Sequence, residues 1–188
     1  MVNALPMKGT APRLADPAAD ARAAAGLASD AKQRAENLMI VDLIRNDLSR
    51  ICRPGSVRVP DLFTVETYPT VHQMTSRVVG QLADGADAVE ALAALFPCGS
   101  VTGAPKIRAM QVIAELERHR RGIYTGSIGS IDPDGNARFN VAIRTICVEK
   151  GATTGVMGIG SGIVADSTAG AEWTECLDKA RFLERPGA

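Results

Sequence analysis

Aromatic side chains are scarce in this 188-residue sequence, which has one Trp, two Tyr and four Phe. Hydrophobic residues make up 46% of the chain, but much of that share is Ala, so large-residue burial is thin. Net charge is also missing. Lys and Arg number 21 and Asp and Glu number 21, so nothing advertises a polyanionic partner and no nucleic acid is expected. The four cysteines, Cys52, Cys98, Cys147 and Cys176, form no C-x-x-C pair, which suits neither a zinc site nor a disulfide scaffold. A reducing cytoplasm is the simplest home. Long apolar runs are absent too: stretches such as "LMIV" are far too short to cross a bilayer, and "MVNALPMKGT" lacks a basic start followed by an apolar core. Neither membrane insertion nor export is expected.

What is present divides into helical and extended stretches. "DAKQRAENLMIVDLIRNDLSRIC" places Leu38, Val41, Ile44, Leu48 and Ile51 at three-and-four spacing before "RPG" stops it, which predicts a helix from Asp30. "SVRVPDLFTVETYPTVHQMTSRVVGQL" is rich in β-branched residues and interrupted by Pro60 and Pro69, which predicts short strands. "DAVEALAALF" and "PKIRAMQVIAELERH" return to helical spacing. The stretch from Gly122 to Ala165 alternates β-branched residues with Asp-Gly and Lys-Gly turn signals, predicting a strand meander before a last helix. Residues 11–29 are Ala-rich, carry two prolines and offer only two large aliphatic groups, so they read as a mobile loop. Helices and antiparallel strands that cluster separately, with no repeat, predict an α+β fold with helices packed outside antiparallel sheet layers.

Three local features suggest chemistry, each with a plainer alternative. On the last helix, Trp173, Cys176, Leu177 and Ala180 share an arc expected to face the core, while Glu172, Glu175 and Lys179 share the adjacent one. That stripe is either a cation site or a solvated face with an i,i+4 ion pair. Just before it, "GIGSG" offers bare backbone N–H groups at Gly158, Gly160 and Gly162, as a carboxylate cradle or as a strand packed tightly on a neighbour. Its G-x-G-x-G spacing, with no helix opening from it, excludes a dinucleotide fingerprint, and "GSVTGAPK" lacks the Gly-Lys-Ser/Thr ending of a phosphate loop. Lys8 in "LPMKGTAPR" is a loop cation or a nucleophile. An ordinary lysine offers roughly one free amine in 2,500 at pH 7, so a nucleophilic one needs burial or a nearby cation.

The ordered segments "LPMKGTAPR", "AENLMIVDLIRNDLSRI", "VHQMTSRVVGQL", "FPCGSVTGAPKIRAMQVI", "RGIYTGSIG", "VAIRTI" and "GSGIVADSTAGAEWTECLDKA" resemble the successive motifs of the chorismate-utilising enzymes. That family includes anthranilate, isochorismate, salicylate and aminodeoxychorismate synthases, and the resemblance runs from Lys8 to Ala180. It implies the α+β chorismate-binding fold and an activity on chorismate. Within the family, aminodeoxychorismate-forming members carry Lys where this chain has Lys8, and anthranilate-forming members have Ala. Met7 stands where Ile is usual.

The resemblance further implies roles for individual residues. Lys8 is the nucleophile that adds to the chorismate ring before ammonia displaces it, and His72 is the proton donor for the departing hydroxyl. Mg²⁺ is the expected ion, held by Glu36 and Glu175 with Glu172 nearby. Thr102, Tyr124, Arg144, Gly160, Ser161, Gly162 and Lys179 bind substrate; Arg144, in the apolar run "NVAIRTICV", is either an edge residue facing water or a buried anion receptor. Family members are longer, so the sequence reads as the C-terminal portion, residues 1–188, of a truncated or split catalytic component. No glutaminase triad is recognisable, so ammonia is expected from a separate glutamine amidotransferase subunit. Three functions follow: amination of chorismate to 4-amino-4-deoxychorismate on the way to 4-aminobenzoate and folate, anthranilate synthesis, or a non-catalytic remnant.

Overall fold

The β-branched stretch from Arg58 to Gly80 folds as two antiparallel ten-residue strands, β3 (Arg58–Thr67) and β4 (Val71–Gly80). In the computed structural model, which describes residues 1–183, they belong to the first of two units, Met1–Ile107 and Arg108–Ala188. Pro69 lies in the connecting turn as expected, but Pro60 sits inside β3. The β3–β4 register slips between Arg58 and Asp61, and a residue without an N–H is tolerated at such an irregularity.

β4 is the spine of the first unit. On its other edge run β1 (Val2–Ala4) and β2 (Met7–Pro12), two halves of one edge strand interrupted at Leu5 and Pro6. The interruption is bridged by Ser76, whose N–H donates to the Pro6 carbonyl at 3.0 Å.

Residues 17–29 form a helix, α1 (Pro17–Ser29), where a mobile loop is expected from composition; that expectation is corrected. The reasons are local. Asp16 caps the first turn by accepting from Ala19 N–H at 2.8 Å, Pro17 occupies the first turn where a missing N–H costs nothing, and alanine loses no side-chain entropy in a helix. Leu27 is its one buried residue, so α1 leans on polar anchors more than on apolar burial.

Asp30 then caps α2 (Ala31–Ser49) by accepting from Gln33 N–H at 2.9 Å. Its buried stripe is Asn37, Ile40, Val41, Ile44, Asp47 and Leu48. The expected stripe began at Leu38, which is instead 43% exposed; Asn37 takes the inward place because a partner awaits it there. Ile40, Val41, Ile44 and Leu48 pack with Cys52 and Val78 as the core of this unit. Burying each large aliphatic side chain contributes about 1.5–3 kcal/mol over leaving it exposed. α3 (Ala88–Leu95) opens with a reciprocal cap between Asp87 and Glu90, and the single turn α4 (Gly99–Thr102) follows.

After α5 (Lys106–Leu116), the second unit holds a hairpin of β5 (Ser127–Ile131) and β6 (Ala137–Val141), a separate pair of β7 (Ile146–Cys147) and β8 (Val156–Met157), and α6 (Ala169–Ala180). The expected meander is realised as these two separate antiparallel pairs. Helices and antiparallel sheets together make the α+β class expected from the sequence. None of the described helices is long and apolar enough to cross a membrane.

Candidate active site

Lys8 lies on the edge strand β2, at a place where the strand leaves its ladder. Met7 pairs with Thr75 and Thr10 with Gln73, so three steps on β2 face two on β4, and Lys8 and Gly9 occupy the resulting bulge. The lysine is half-buried, and no carboxylate among the described residues pairs with its ammonium. Gly9 adopts a φ of +91°, open to glycine and strained for other residues. The segment is therefore an ordered bulge rather than a free loop.

His72 is buried, 2% exposed, on the helix-covered face of β4. Its Nε2 stands 2.9 Å from Asp20 Oδ1 on α1, and its Nδ1 stands 3.0 Å from Thr67 Oγ1 on β3. A carboxylate only accepts, so Nε2 carries the hydrogen and, in the neutral ring, Nδ1 accepts from the Thr67 hydroxyl. Both ring nitrogens are thus engaged. Asp20 also accepts from Arg13 Nε at 3.0 Å and from Leu14 N–H at 2.8 Å, and the Arg13 guanidinium is the chief reason its carboxyl is held well below the usual range. Arg13 in turn donates to the Tyr68 carbonyl at 2.9 Å. Asp20 and Thr67 lie outside the residues expected from the sequence, because the composition of residues 11–29 hides Asp20 in a loop-like stretch.

The opposite face of the sheet carries a second polar group. Glu66 accepts from Tyr68 OH at 2.5 Å and from Thr75 Oγ1 at 2.8 Å. These bonds, Tyr68 first, lower the Glu66 carboxyl below its ordinary range and raise the Tyr68 phenol above its own.

Glu36 is half-buried on α2 beside Asn37. Asn37, fully buried, accepts from Ser76 Oγ at 2.6 Å, and that hydroxyl accepts from Phe63 N–H at 3.0 Å, fixing α2 against the sheet. Thr102, on α4, spends its hydroxyl on the Cys98 carbonyl at 3.2 Å. The α4 turn is held from both sides. Gly99 packs so closely on Leu43 that a Cβ would stand 2.9 Å from Leu43 Cδ1, and Lys106 beyond the turn makes a largely buried ion pair with Asp47 of α2 at 2.5 Å.

In the second unit, Tyr124 and the glycine segment form one cluster. A Cβ on Gly158 would meet Tyr124 Cγ at 2.2 Å, and one on Gly160 would meet the Tyr124 hydroxyl at 2.6 Å, so these glycines let backbone lie on the ring. Burial is the main cause raising the Tyr124 phenol above its ordinary range. Lys179 donates to the Gly160 carbonyl at 3.0 Å and pairs with Glu175 at 2.6 Å. Ser161 is half-buried and Gly162 exposed beside them. The close-packing reading of these glycines therefore holds for Gly158 and Gly160, and the i,i+4 pair is present.

Two expectations are corrected here. Trp173 is 60% and Leu177 48% exposed, while Glu172, Cys176 and Lys179 lie on the more covered arc of α6. Polar bonds set that rotation: Ser167 Oγ donates to Glu172 Oε1 at 2.5 Å, and Lys179 reaches the Gly160 carbonyl. Arg144 is not in a strand. It is an exposed residue at a bend between β6 and β7 with a φ of +51°, an uncommon and strained value for a residue with a side chain.

Among the described residues, no three His, Cys, Asp or Glu side chains gather where a metal could sit. Glu172 and Glu175, three residues apart on α6, offer oxygen donors of the kind a hard cation takes. Glu175 is held by Lys179 and would exchange that partner for an ion.

The sequence matches the family described as chorismate binding enzyme over residues 1–185. Aminodeoxychorismate synthase component 1 of Salmonella typhimurium is 49% identical over 181 residues, covering 96% of this chain and 39% of that protein. Anthranilate synthase component 1 of Streptomyces coelicolor is 48% identical over 182 residues, covering 97% of this chain and 35% of that protein. Among solved structures, anthranilate synthase component I from Streptococcus pneumoniae TIGR4 superposes with a TM-score of 0.82 at 38% identity, over 97% of this chain and 40% of that one. A menaquinone-specific isochorismate synthase from Escherichia coli superposes with a TM-score of 0.79 at 26% identity, over 96% of this chain and 41% of that one. The chain spans about two-fifths of the length of these relatives.

Proposed function

The chain belongs to the chorismate-binding enzyme family, and from that premise we propose that it supplies the Lys8-bearing part of an enzyme that aminates chorismate to 4-amino-4-deoxychorismate. The observation that carries this reading is Lys8 itself: a half-buried lysine with no ion pair among the described residues, held in an ordered bulge beside a glycine whose φ is strained for other residues. Relatives named for both products are almost equally similar, so overall identity does not choose between them.

In this reading the free Lys8 amine forms a C–N bond to the chorismate ring as the ring hydroxyl leaves with a proton as water. Ammonia then forms its own bond para to the ring carboxylate, and the lysine amine departs. Tyr124, Arg144, Lys179 and the backbone from Gly160 through Ser161 to Gly162, all in the second unit, offer donors for the substrate carboxylates. His72, with both nitrogens engaged, keeps α1 seated on the sheet and serves as a proton donor only if one partner yields. Glu172 and Glu175 on α6 would be donors for the magnesium that the family resemblance implies, and the bound ion would supply positive charge against the dianion and the departing oxygen. Ammonia comes from a separate glutamine amidotransferase subunit, a partner suggested by the component 1 naming of the relatives.

A second reading is direct attack by ammonia at the ortho carbon, as in an anthranilate synthase, with Lys8 a spectator. The 48% identity to anthranilate synthase component 1 is the observation behind it. Product analysis with chorismate, magnesium and ammonium decides, using the chain together with the remaining portion its relatives possess. The proposal expects the 4-amino product, its loss in Lys8→Ala, and a chorismate-derived adduct on the Lys8 peptide when ammonia is withheld. Undiminished 4-amino product from Lys8→Ala, or anthranilate from the parent, refutes it.

A further inference from the structure

A bulge is ordinarily the soft point of an edge strand, because its extra residue is outside the ladder and the neighbouring register can slip. The bulge carrying Lys8 is instead pinned on the C-terminal side of the lysine by one side chain. Gln73 of β4 donates from Nε2 to the Gly9 carbonyl at 2.7 Å and accepts from the Thr10 hydroxyl at its Oε1 over 3.0 Å. The carbonyl can only accept, so the nitrogen end of the amide must face Gly9, which leaves the oxygen end for Thr10. Gly9 is confined as well: a Cβ there would stand 3.1 Å from both Gln33 Oε1 and Leu27 Cδ1.

We infer that Gln73 is a positioning residue that holds the Lys8–Gly9 bulge in register and thereby aims the Lys8 amine. The inference rests on the nucleophile reading of Lys8 given above, and it adds a specific requirement. The group must donate and accept at once, across adjacent residues, with the reach of a glutamine. Met matches its length but makes neither bond. Glu keeps the acceptor and loses the donor. Misplacement of a reacting group by about 1 Å can cost on the order of a hundredfold in rate, so the constraint matters to chemistry and not only to stability.

The test reads Lys8 directly in the full chain. Trace labelling with acetic anhydride from about pH 7 to 10, followed by mass spectrometry, compares acetylation of Lys8 with that of Lys32, which is exposed on α2. Gln73→Met should change the Lys8 to Lys32 ratio by about threefold or more and alter its pH profile, and Thr10→Val, which removes one of the two bonds, should do so less. Gln73→Glu loses the bond to the Gly9 carbonyl with little change of shape, and it replaces the Met variant if that fails to fold. A ratio and profile unchanged from the parent in whichever of these variants is folded, as judged by thermal melting, overturns the inference. In the complete enzyme, kcat should fall on the order of tenfold with KM near the parent value. If labelling changes as expected while the 4-amino product survives Lys8→Ala, the bracing by Gln73 stands and the nucleophile reading falls, so the two failures are distinguishable.

Discussion

Asp20 accepts a hydrogen bond from His72 across 2.9 Å, joining α1 to the central strand of the first unit. The pair is the centre of a chain from Tyr68 through Arg13, Asp20 and His72 to Thr67, and it anchors a helix that buries only Leu27.

This anchor should be acid-sensitive in a defined direction. The Asp20 carboxyl is lowered in the fold, first by Arg13 and then by the Leu14 N–H, relative to the ordinary 3.8. A depressed carboxyl contributes stability that is present above the ordinary value and is lost as pH falls through the folded one. Thermal melts of the parent should therefore drop progressively below about pH 4, and Asp20→Asn should melt lower at neutral pH with a shallower acid slope. Parallel slopes for the two proteins would disconnect Asp20 from the acid limb.

The buried Asn37–Ser76 pair is predicted to be coupled. Ser76→Ala leaves the Asn37 carbonyl oxygen and the Phe63 N–H without their partner, and each buried orphan costs about 1–3 kcal/mol. Denaturant midpoints of Ser76→Ala, Asn37→Leu and the double variant should show the second change costing less once the first is made. Simple additivity would mean that the pair does not act as a unit.

Lys106→Met removes the cation facing Asp47, which is 4% exposed. Breaking a buried pair on one side costs about 3–5 kcal/mol, whereas replacing both partners with apolar groups is often neutral. Urea unfolding should show the single variant strongly destabilised and Lys106→Met with Asp47→Leu recovering much of the loss. A single variant as stable as the parent would show that the pair contributes nothing to holding the α4 turn.

Alkaline titration should find both tyrosines ionising above the ordinary value of 10, Tyr68 because Glu66 holds its proton and Tyr124 chiefly because of burial. A raised phenol contributes stability that is intact below that value and fades as pH rises through the folded one. Glu66→Gln should move one of the two absorbance steps down and leave the other in place. Two unmoved steps would remove Glu66 as the cause.

The sequence alone determined the element types of α2, α3, α5 and α6, the strand character of residues 58–80 and the α+β class, because spacing and turn chemistry act over a few residues. The ordered motifs also carried the family. Composition misled at residues 17–29, where a low-bulk helix held by Asp16 and Asp20 resembles a linker if apolar burial is the only criterion. Periodicity located α2 with its inward Val41, Ile44 and Leu48 but put Leu38 inward in place of Asn37, and on α6 it turned Trp173 and Leu177 inward where Glu172 and Lys179 are the more covered. Which face turns inward depends on polar partners elsewhere in the chain, such as Ser76 for Asn37 and the Gly160 carbonyl for Lys179. The bonds that distinguish the candidate site span 52 residues from Asp20 to His72, 64 from Gly9 to Gln73 and 39 from Asn37 to Ser76. No local pattern encodes such pairings. Only the folded sheet and its helices bring the partners within hydrogen-bond distance, and that proximity turns a loop-like lysine into one held in place.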